Sequence, residues 1–110
     1  MTLFVFGINH TTAPIDVRER LAFAPEIAAP ALQQIVSQTA ICEVAILSTC
    51  NRTEIYGHLP EGSALSADPK HVVAAWLADY HGVELSQVQR HCYFQEQEQA
   101  VRHMMRVASG

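Results

Sequence analysis

Two strand-like runs stand almost end to end in the middle of this 110-residue chain, and their closeness restricts the folds that it can adopt. Glu43–Cys50 is apolar until its last residues become small and polar, and Thr53–His58 alternates between apolar and polar positions. Only Asn51 and Arg52 separate the two runs. They therefore predict an antiparallel hairpin, with Cys50–Arg52 at a tight connection.

A helix is predicted on each side of this hairpin. Pro30 would break a helix that began at Pro25, so the regular part of the first helix is predicted over Pro30–Gln38. Asp68 as N-cap and Gly82 as C-cap frame the second helix.

One further strand is predicted towards each end of the chain, and a last helix follows the second of them. Leu3–Ile8 is a β-branched and aromatic run, His91–Phe94 is a shorter strand-like run, and Gln97–Ala108 has a helical period. The order strand, helix, strand, strand, helix, strand, helix is that of a split βαβ unit. We therefore predict one α+β domain, residues 1–110, with a two-layer, ferredoxin-like fold and a four-stranded antiparallel sheet.

Charge and hydropathy exclude several classes of protein. The formal net charge is −4 and the seven lysines and arginines are scattered, which argues against a general nucleic-acid coat. Recognition of one particular RNA stays open. No apolar run approaches the roughly 18 residues of a membrane span, and the first residues form no basic leader. These features predict a cytoplasmic protein that does not interact with a membrane.

The cysteines and glycines argue against two further kinds of site. The 3 cysteines are widely spaced, which fits neither a disulfide framework nor a paired-cysteine zinc motif, so no metal is expected. Cys42 and Cys92 lie in or beside apolar runs, where core packing is the expected role. No glycine-rich phosphate loop is present, so hydride chemistry would need another domain.

Cys50 is the sharpest candidate for chemistry. It ends a predicted strand beside the hydroxyls of Ser48 and Thr49, and Arg52 follows within two residues. A thiol beside a guanidinium and exposed turn amides ionises more easily than a free one, which suits a nucleophile. The alternative is a small buried hydrophobic residue.

The two residues after Cys50 are candidate ligand contacts. Arg52 has the planar fork that binds a carboxylate or phosphate, and its alternative is a solvated turn residue paired with Glu54. Asn51 has the alternative of supplying only the left-handed backbone that a turn requires.

His103 is the most informative histidine, because its direction depends on how the last helix packs. The helical period makes it point roughly opposite to the predicted core stripe. It is then either an ordinary surface histidine or a group that faces a cleft. The predicted stripe consists of Val101, Met104, Met105 and Ala108.

Five segments in register resemble the amino-terminal domain of the bacterial glutamyl-tRNA reductase family. The resemblance spans the chain, and its most distinctive segment is the hairpin run. The segments are Gly7-Ile8-Asn9-His10, Thr12-Ala13-Pro14, Val17-Arg18-Glu19-Arg20, Ser48-Thr49-Cys50-Asn51-Arg52-Thr53-Glu54 and His103-Met104-Met105-Arg106-Val107-Ala108-Ser109-Gly110.

The resemblance implies reduction of glutamyl-tRNA to glutamate 1-semialdehyde, on the route to tetrapyrroles through 5-aminolevulinate. It implies that the thiolate of Cys50 attacks the glutamyl ester to form a thioester, which NADPH then reduces. It also implies substrate contacts from Thr49, Cys50, Asn51 and Arg52, with Arg52 on the glutamate side-chain carboxylate. His103 is implied to assist the reaction as a second catalytic residue.

The resemblance further implies that residues 1–110 are one catalytic domain of a longer chain. The NADPH-binding and dimerisation domains would lie outside it, so that this fragment alone would be at most an esterase. The expected partners are glutamyl-tRNA, a second copy in a full-length homodimer and a downstream aminomutase. Two alternatives stay open: a module that only binds the tRNA acceptor, and a regulatory docking domain.

Overall fold

Four strands and five helices make up the described part of the chain, residues 2–39, 41–59 and 68–109 of a computed structural model. In chain order they are β1 (Thr2–Asn9), α1 (Ile15–Arg20), α2 (Pro25–Gln38), β2 (Glu43–Ser48), β3 (Arg52–Leu59), α3 (Pro69–His81), α4 (Leu85–His91), β4 (Tyr93–Glu96) and α5 (Gln97–Ser109).

The strands form one sheet in the order β2-β3-β1-β4, and every neighbouring pair is antiparallel. Strand β3 lies between β1 and β2, so β1 and β3 are the central strands. Strands β2 and β4 form the two edges of the sheet. This arrangement confirms the predicted ferredoxin-like α+β fold and its four-stranded antiparallel sheet.

One face of the sheet carries the apolar core. Phe4, Phe6 and Ile8 alternate along β1 towards α2 and α3, where Ile35 and Trp76 are also buried. Burial of this apolar surface is the main driving force for folding.

Helix α5 covers the second face of the sheet and forms a third layer beside the two that were predicted. Val5 on β1 and Ala100 on α5 are fully buried outside the main core cluster. The helix lies against β1 and β4. Polar residues of β3 are thereby enclosed, and these residues form the site described below.

Two sequence-based boundaries were wrong. Helix α2 begins at Pro25 and continues through Pro30, because Ala31 and Ile35 on its inner face are fully buried and hold it against the sheet. The last strand begins at Tyr93, because α4 extends to His91 before it.

The capping signals of α3 are confirmed. The side chain of Asp68 accepts a hydrogen bond from the backbone N–H of Lys70 at 3.2 Å, and Gly82 adopts a left-handed conformation with φ of 65°. Within the described ranges, no helix combines the length and apolar character that crossing a bilayer requires.

Candidate functional site

The turn between β2 and β3 carries the four residues expected to contact substrate. The backbone N–H of Thr49 donates to the carbonyl of Arg52 at 2.8 Å. The Thr49 hydroxyl accepts from the backbone N–H groups of Asn51 and Arg52 at 3.2 and 3.3 Å. Thr49 therefore organises the turn, and Cys50 lies exposed at its tip.

Asn51 does not have the backbone role considered for it. In the described part of the chain, positive φ angles occur at Gln97 and Gly82, and Asn51 is not among them. The left-handed alternative for Asn51 is therefore wrong. Its exposed side chain borders a cavity beside the turn.

Glu54 is a buried carboxylate that the sequence analysis missed as a site residue. It lies on β3 with no exposed surface. The Tyr56 hydroxyl donates to its Oε1 at 2.6 Å, and both Tyr93 and His103 hydrogen-bond to its Oε2. The Arg52 guanidinium lies 3.6 Å from the same oxygen. We call Arg52, Glu54, Tyr56, Tyr93 and His103 the Glu54 cluster.

The partners of Glu54 decide its protonation state. Burial alone would raise its pKa, but hydrogen bonds from Tyr56, Tyr93 and His103 outweigh burial and hold the pKa below its usual value of 4.5. Burial, followed by the hydrogen bond to Glu54, raises the pKa of both tyrosines. Glu54 is therefore ionised at neutral pH, and both tyrosines keep their protons and donate.

A glycine on the central strand makes room for this cluster. Gly7 of β1 stands in register with Glu54 on one side and Tyr93 on the other. A Cβ atom at Gly7 would lie 2.8 Å from the Tyr93 hydroxyl oxygen and 2.9 Å from Cγ of Glu54. The absence of a side chain at Gly7 therefore lets the two groups meet above β1.

His103 points towards the sheet, so the predicted core stripe of α5 was wrong. Its side chain is 14% exposed, and its ring lies 5.3 Å from that of Tyr93 between centroids. The inner face of the helix consists of Ala100, His103 and Val107, and the four residues of the predicted stripe are exposed, with Met104 and Ala108 on the side of the hairpin turn. Relative exposures there are 42% for Val101, 40% for Met104 and 65% for Met105.

Two cavities meet at Arg52, which lines both. One of about 490 Å³ lies between the hairpin turn and α5 and is bordered by Thr49, Asn51 and Arg52. The other, of about 380 Å³, is bordered by Arg52, His103 and Arg106. The two cavities share Arg52 and Val107 and are together called the cleft below. Its second part has two guanidinium groups and a histidine, a composition suited to a small anionic ligand, whereas its first part is lined mainly by apolar side chains.

The structure places the cysteines differently from one another. Cys50 does not itself line either cavity, but its chain neighbours Thr49 and Asn51 line the first. Cys42 is exposed, so its predicted core role was wrong, because it precedes β2 at the sheet edge. Cys92 is half-buried against the core, as predicted, and burial raises the pKa of its thiol.

The sequence places Glu54 on the polar side of β3 but does not indicate that it is buried. Arg52, Glu54 and Tyr56 are alternate residues of β3 and therefore lie on the same face of the strand. A face with such polar residues is usually in contact with water. Only the placement of α5 over that face buries the glutamate.

Among the described residues, no group of three or more histidine, cysteine or acidic side chains is arranged to hold a metal ion.

Comparisons with known proteins show which family this chain resembles. Residues 6–110 match the family described as "Glutamyl-tRNAGlu reductase, N-terminal domain". Glutamyl-tRNA reductases from Pseudomonas putida (strain W619) and Marinomonas sp. (strain MWYL1) are 53% and 46% identical over the whole chain, which covers 24% and 25% of their lengths.

A solved structure is also similar to this chain over nearly its whole length. Glutamyl-tRNA reductase from Methanopyrus kandleri superposes with a TM-score of 0.65 at 26% identity, over 98% of this chain and 22% of that one. The chain thus spans about a quarter of the length of the relatives that it matches.

Proposed function

The chain belongs to the family of glutamyl-tRNA reductase N-terminal domains, and from that membership we propose that it carries out the acyl-transfer step of the reductase reaction. In this step the Cys50 thiolate attacks the carbonyl carbon of the glutamyl ester. A carbon–sulfur bond forms and the ester carbon–oxygen bond breaks. The product is a glutamyl thioester on Cys50, and the terminal ribose hydroxyl of the tRNA leaves.

The proposal is carried by the convergence of Arg52 and His103 on one cleft beside the turn that bears Cys50. Arg52 is 23% exposed, so its guanidinium is accessible from the cleft while Glu54 holds it from behind at 3.6 Å. The guanidinium would bind the side-chain carboxylate of the glutamyl group and discriminate against a neutral glutaminyl group. Thr49 and Asn51 would border the same ligand.

The described residues do not fit a nicotinamide cofactor. A dinucleotide site needs a glycine-rich turn that leads from a strand into a helix. Gly7 and Gly57 lie within strands, and Gly82 follows the end of a helix. We therefore assign reduction of the thioester by NADPH to a part of the protein outside these residues, and no step here involves the cofactor.

Further proposals concern the whole protein. The longer protein would act as a homodimer in the cytoplasm and pass its aldehyde product to an aminomutase. An aldehyde is reactive towards amines in water, so direct transfer to the next enzyme would protect it.

The test is intact-mass spectrometry after the protein is mixed with glutamyl-tRNA and quenched with acid. We expect a glutamyl mass increment on the wild type and none on Cys50→Ser. Cys42→Ser is the matched control, because Cys42 is also an exposed cysteine, and it should keep the increment.

Two outcomes would contradict the proposal. An increment on Cys50→Ser would exclude Cys50 as the nucleophile. If the wild-type chain binds tRNA without forming an adduct, and the full-length protein forms none either, the domain is a tRNA-binding module only.

A further inference from the structure

The hydrogen bond to Glu54 determines which nitrogen of His103 donates. An ionised carboxylate can only accept hydrogen bonds. Since Nε2 of His103 is hydrogen-bonded to Oε2 of Glu54, Nε2 must carry a proton. In the described part of the chain, Nδ1 of His103 has no hydrogen-bond partner, and the ring lines the cleft beside Arg52.

We propose that Glu54 is a positioning residue that holds the His103 proton on Nε2 and so makes Nδ1 the nitrogen that acts on the substrate. This inference rests on the proposed function and deepens it. It assigns His103 the role of a base through its neutral form, in which Nδ1 has a lone pair and no proton. A role as electrophile would need a proton on the nitrogen that faces the substrate.

The proton balance of the step is complete with this assignment. Nδ1 accepts the proton of the Cys50 thiol as sulfur attacks the ester carbon. The imidazolium formed is stabilised by Glu54, as a carboxylate stabilises the histidine in other nucleophilic triads. Nδ1 then returns the proton to the tRNA hydroxyl oxygen as the ester bond breaks, and His103 is neutral again.

The rest of the cluster keeps Glu54 in this role. Tyr56 donates to Oε1 and Tyr93 to Oε2, so both oxygens are satisfied without a proton on the carboxylate. Arg52 adds a positive charge 3.6 Å from Oε2. The two tyrosines and Arg52 therefore favour the ionised form of Glu54, which in turn determines the position of the histidine proton.

The experiment measures the tautomer of His103 and the rate of acyl transfer in the same set of variants. Nitrogen-15 NMR of histidine-labelled protein reports which ring nitrogen is protonated, with His103→Asn to assign the signal. We expect the Nε2–H tautomer in the wild type. In Glu54→Gln we expect a mixture of tautomers and a single-turnover rate lower by on the order of 10²-fold.

Glu43→Gln is the matched control, because Glu43 is another glutamate of the sheet that pairs with a histidine, His58 at 3.7 Å, and it lies outside the Glu54 cluster. It should keep the wild-type tautomer and lose less than tenfold in rate. If Glu54→Gln fails to fold, Glu54→Asp replaces it, since the shorter side chain keeps the charge and withdraws it from His103.

An unchanged tautomer together with an unchanged rate in Glu54→Gln would overturn the inference, as would a proton on Nδ1 in the wild type. The NMR measurement needs no substrate. A protein that shows the expected tautomer but forms no adduct on Cys50 would therefore refute the proposed function and leave the role of Glu54 in positioning His103 supported.

Discussion

Gly7→Ala is expected to disturb the Glu54 cluster, because the added methyl group would collide with Tyr93 and Glu54. The new Cβ would lie 2.8 Å from the Tyr93 hydroxyl oxygen and 2.9 Å from both Cζ of Tyr93 and Cγ of Glu54. Ordinary contacts begin at 3.4 Å, so the two side chains must move by roughly half an ångström. The Tyr93 hydroxyl donates a hydrogen bond to Glu54, and neither side chain can turn away without leaving a buried polar group unpaired.

The size of the effect follows from two opposing contributions. Alanine in a strand is more favourable than glycine by about 0.5–1 kcal/mol, because the unfolded chain has less freedom to lose. Overpacking in a filled interior costs about 1–3 kcal/mol. We expect overpacking to win, with a net loss of about 1–2 kcal/mol in the free energy of unfolding.

Urea unfolding and the adduct assay on Cys50 together test this reasoning. Gly57→Ala is the matched control, because its Cβ would lie 2.9 Å from the Glu43 carbonyl oxygen and 3.0 Å from Phe4, away from the cluster. Both variants should lose stability, but only Gly7→Ala should lose acyl-transfer rate per folded molecule. A Gly7→Ala variant as stable and as active as the wild type would refute the reasoning.

Two further predictions concern stability alone. Pro30→Ala should raise the free energy of unfolding by about 2 kcal/mol in urea titrations, because Pro30 is exposed inside α2 and cannot donate to the Glu26 carbonyl. Pro25→Ala, at the first helical position, should give no such gain, and equal effects of the two would contradict the explanation. Burial lowers the pKa of His81 below 6.5, with its ring against Phe23 at 4.7 Å between centroids. As the pH falls through that value the unfolded chain binds a proton that the folded chain does not, so stability should fall as the pH drops below about 6.5. His81→Gln should reduce this fall, and an unchanged pH dependence would show that His81 is not its source.

The parts of the fold that were predicted correctly depend on local chemistry. Asp68 and Gly82 frame α3 because capping involves only the residues at a helix end. The hairpin of β2 and β3 follows from two strand-like runs with too short a connection for any other pairing. The start of α2 was mispredicted because burial of Ala31 and Ile35 outweighs the local penalty of Pro30.

The candidate site was predicted only in part, because only some of its residues are neighbours along the chain. Thr49, Cys50, Asn51 and Arg52 are adjacent in the chain, so their common turn could be predicted from the sequence. The direction of His103 could not, because apolar periodicity assigns methionines and valines to the inner face of a helix. In α5, Val101, Met104 and Met105 are exposed, and His103 faces inwards to Glu54.

The sequence by itself determined the order of the four strands and the three longer helices, the caps and the turn that bears Cys50, since neighbours along the chain produce each of them. Only the tertiary structure decided that Gly7, Glu54, Tyr93 and His103 meet, because they belong to four different elements. A buried carboxylate is tolerated only where hydrogen bonds compensate for its lost hydration. The donors Tyr93 and His103 come from β4 and α5, far along the chain, and the packing of α5 on the second face of the sheet brings them to Glu54.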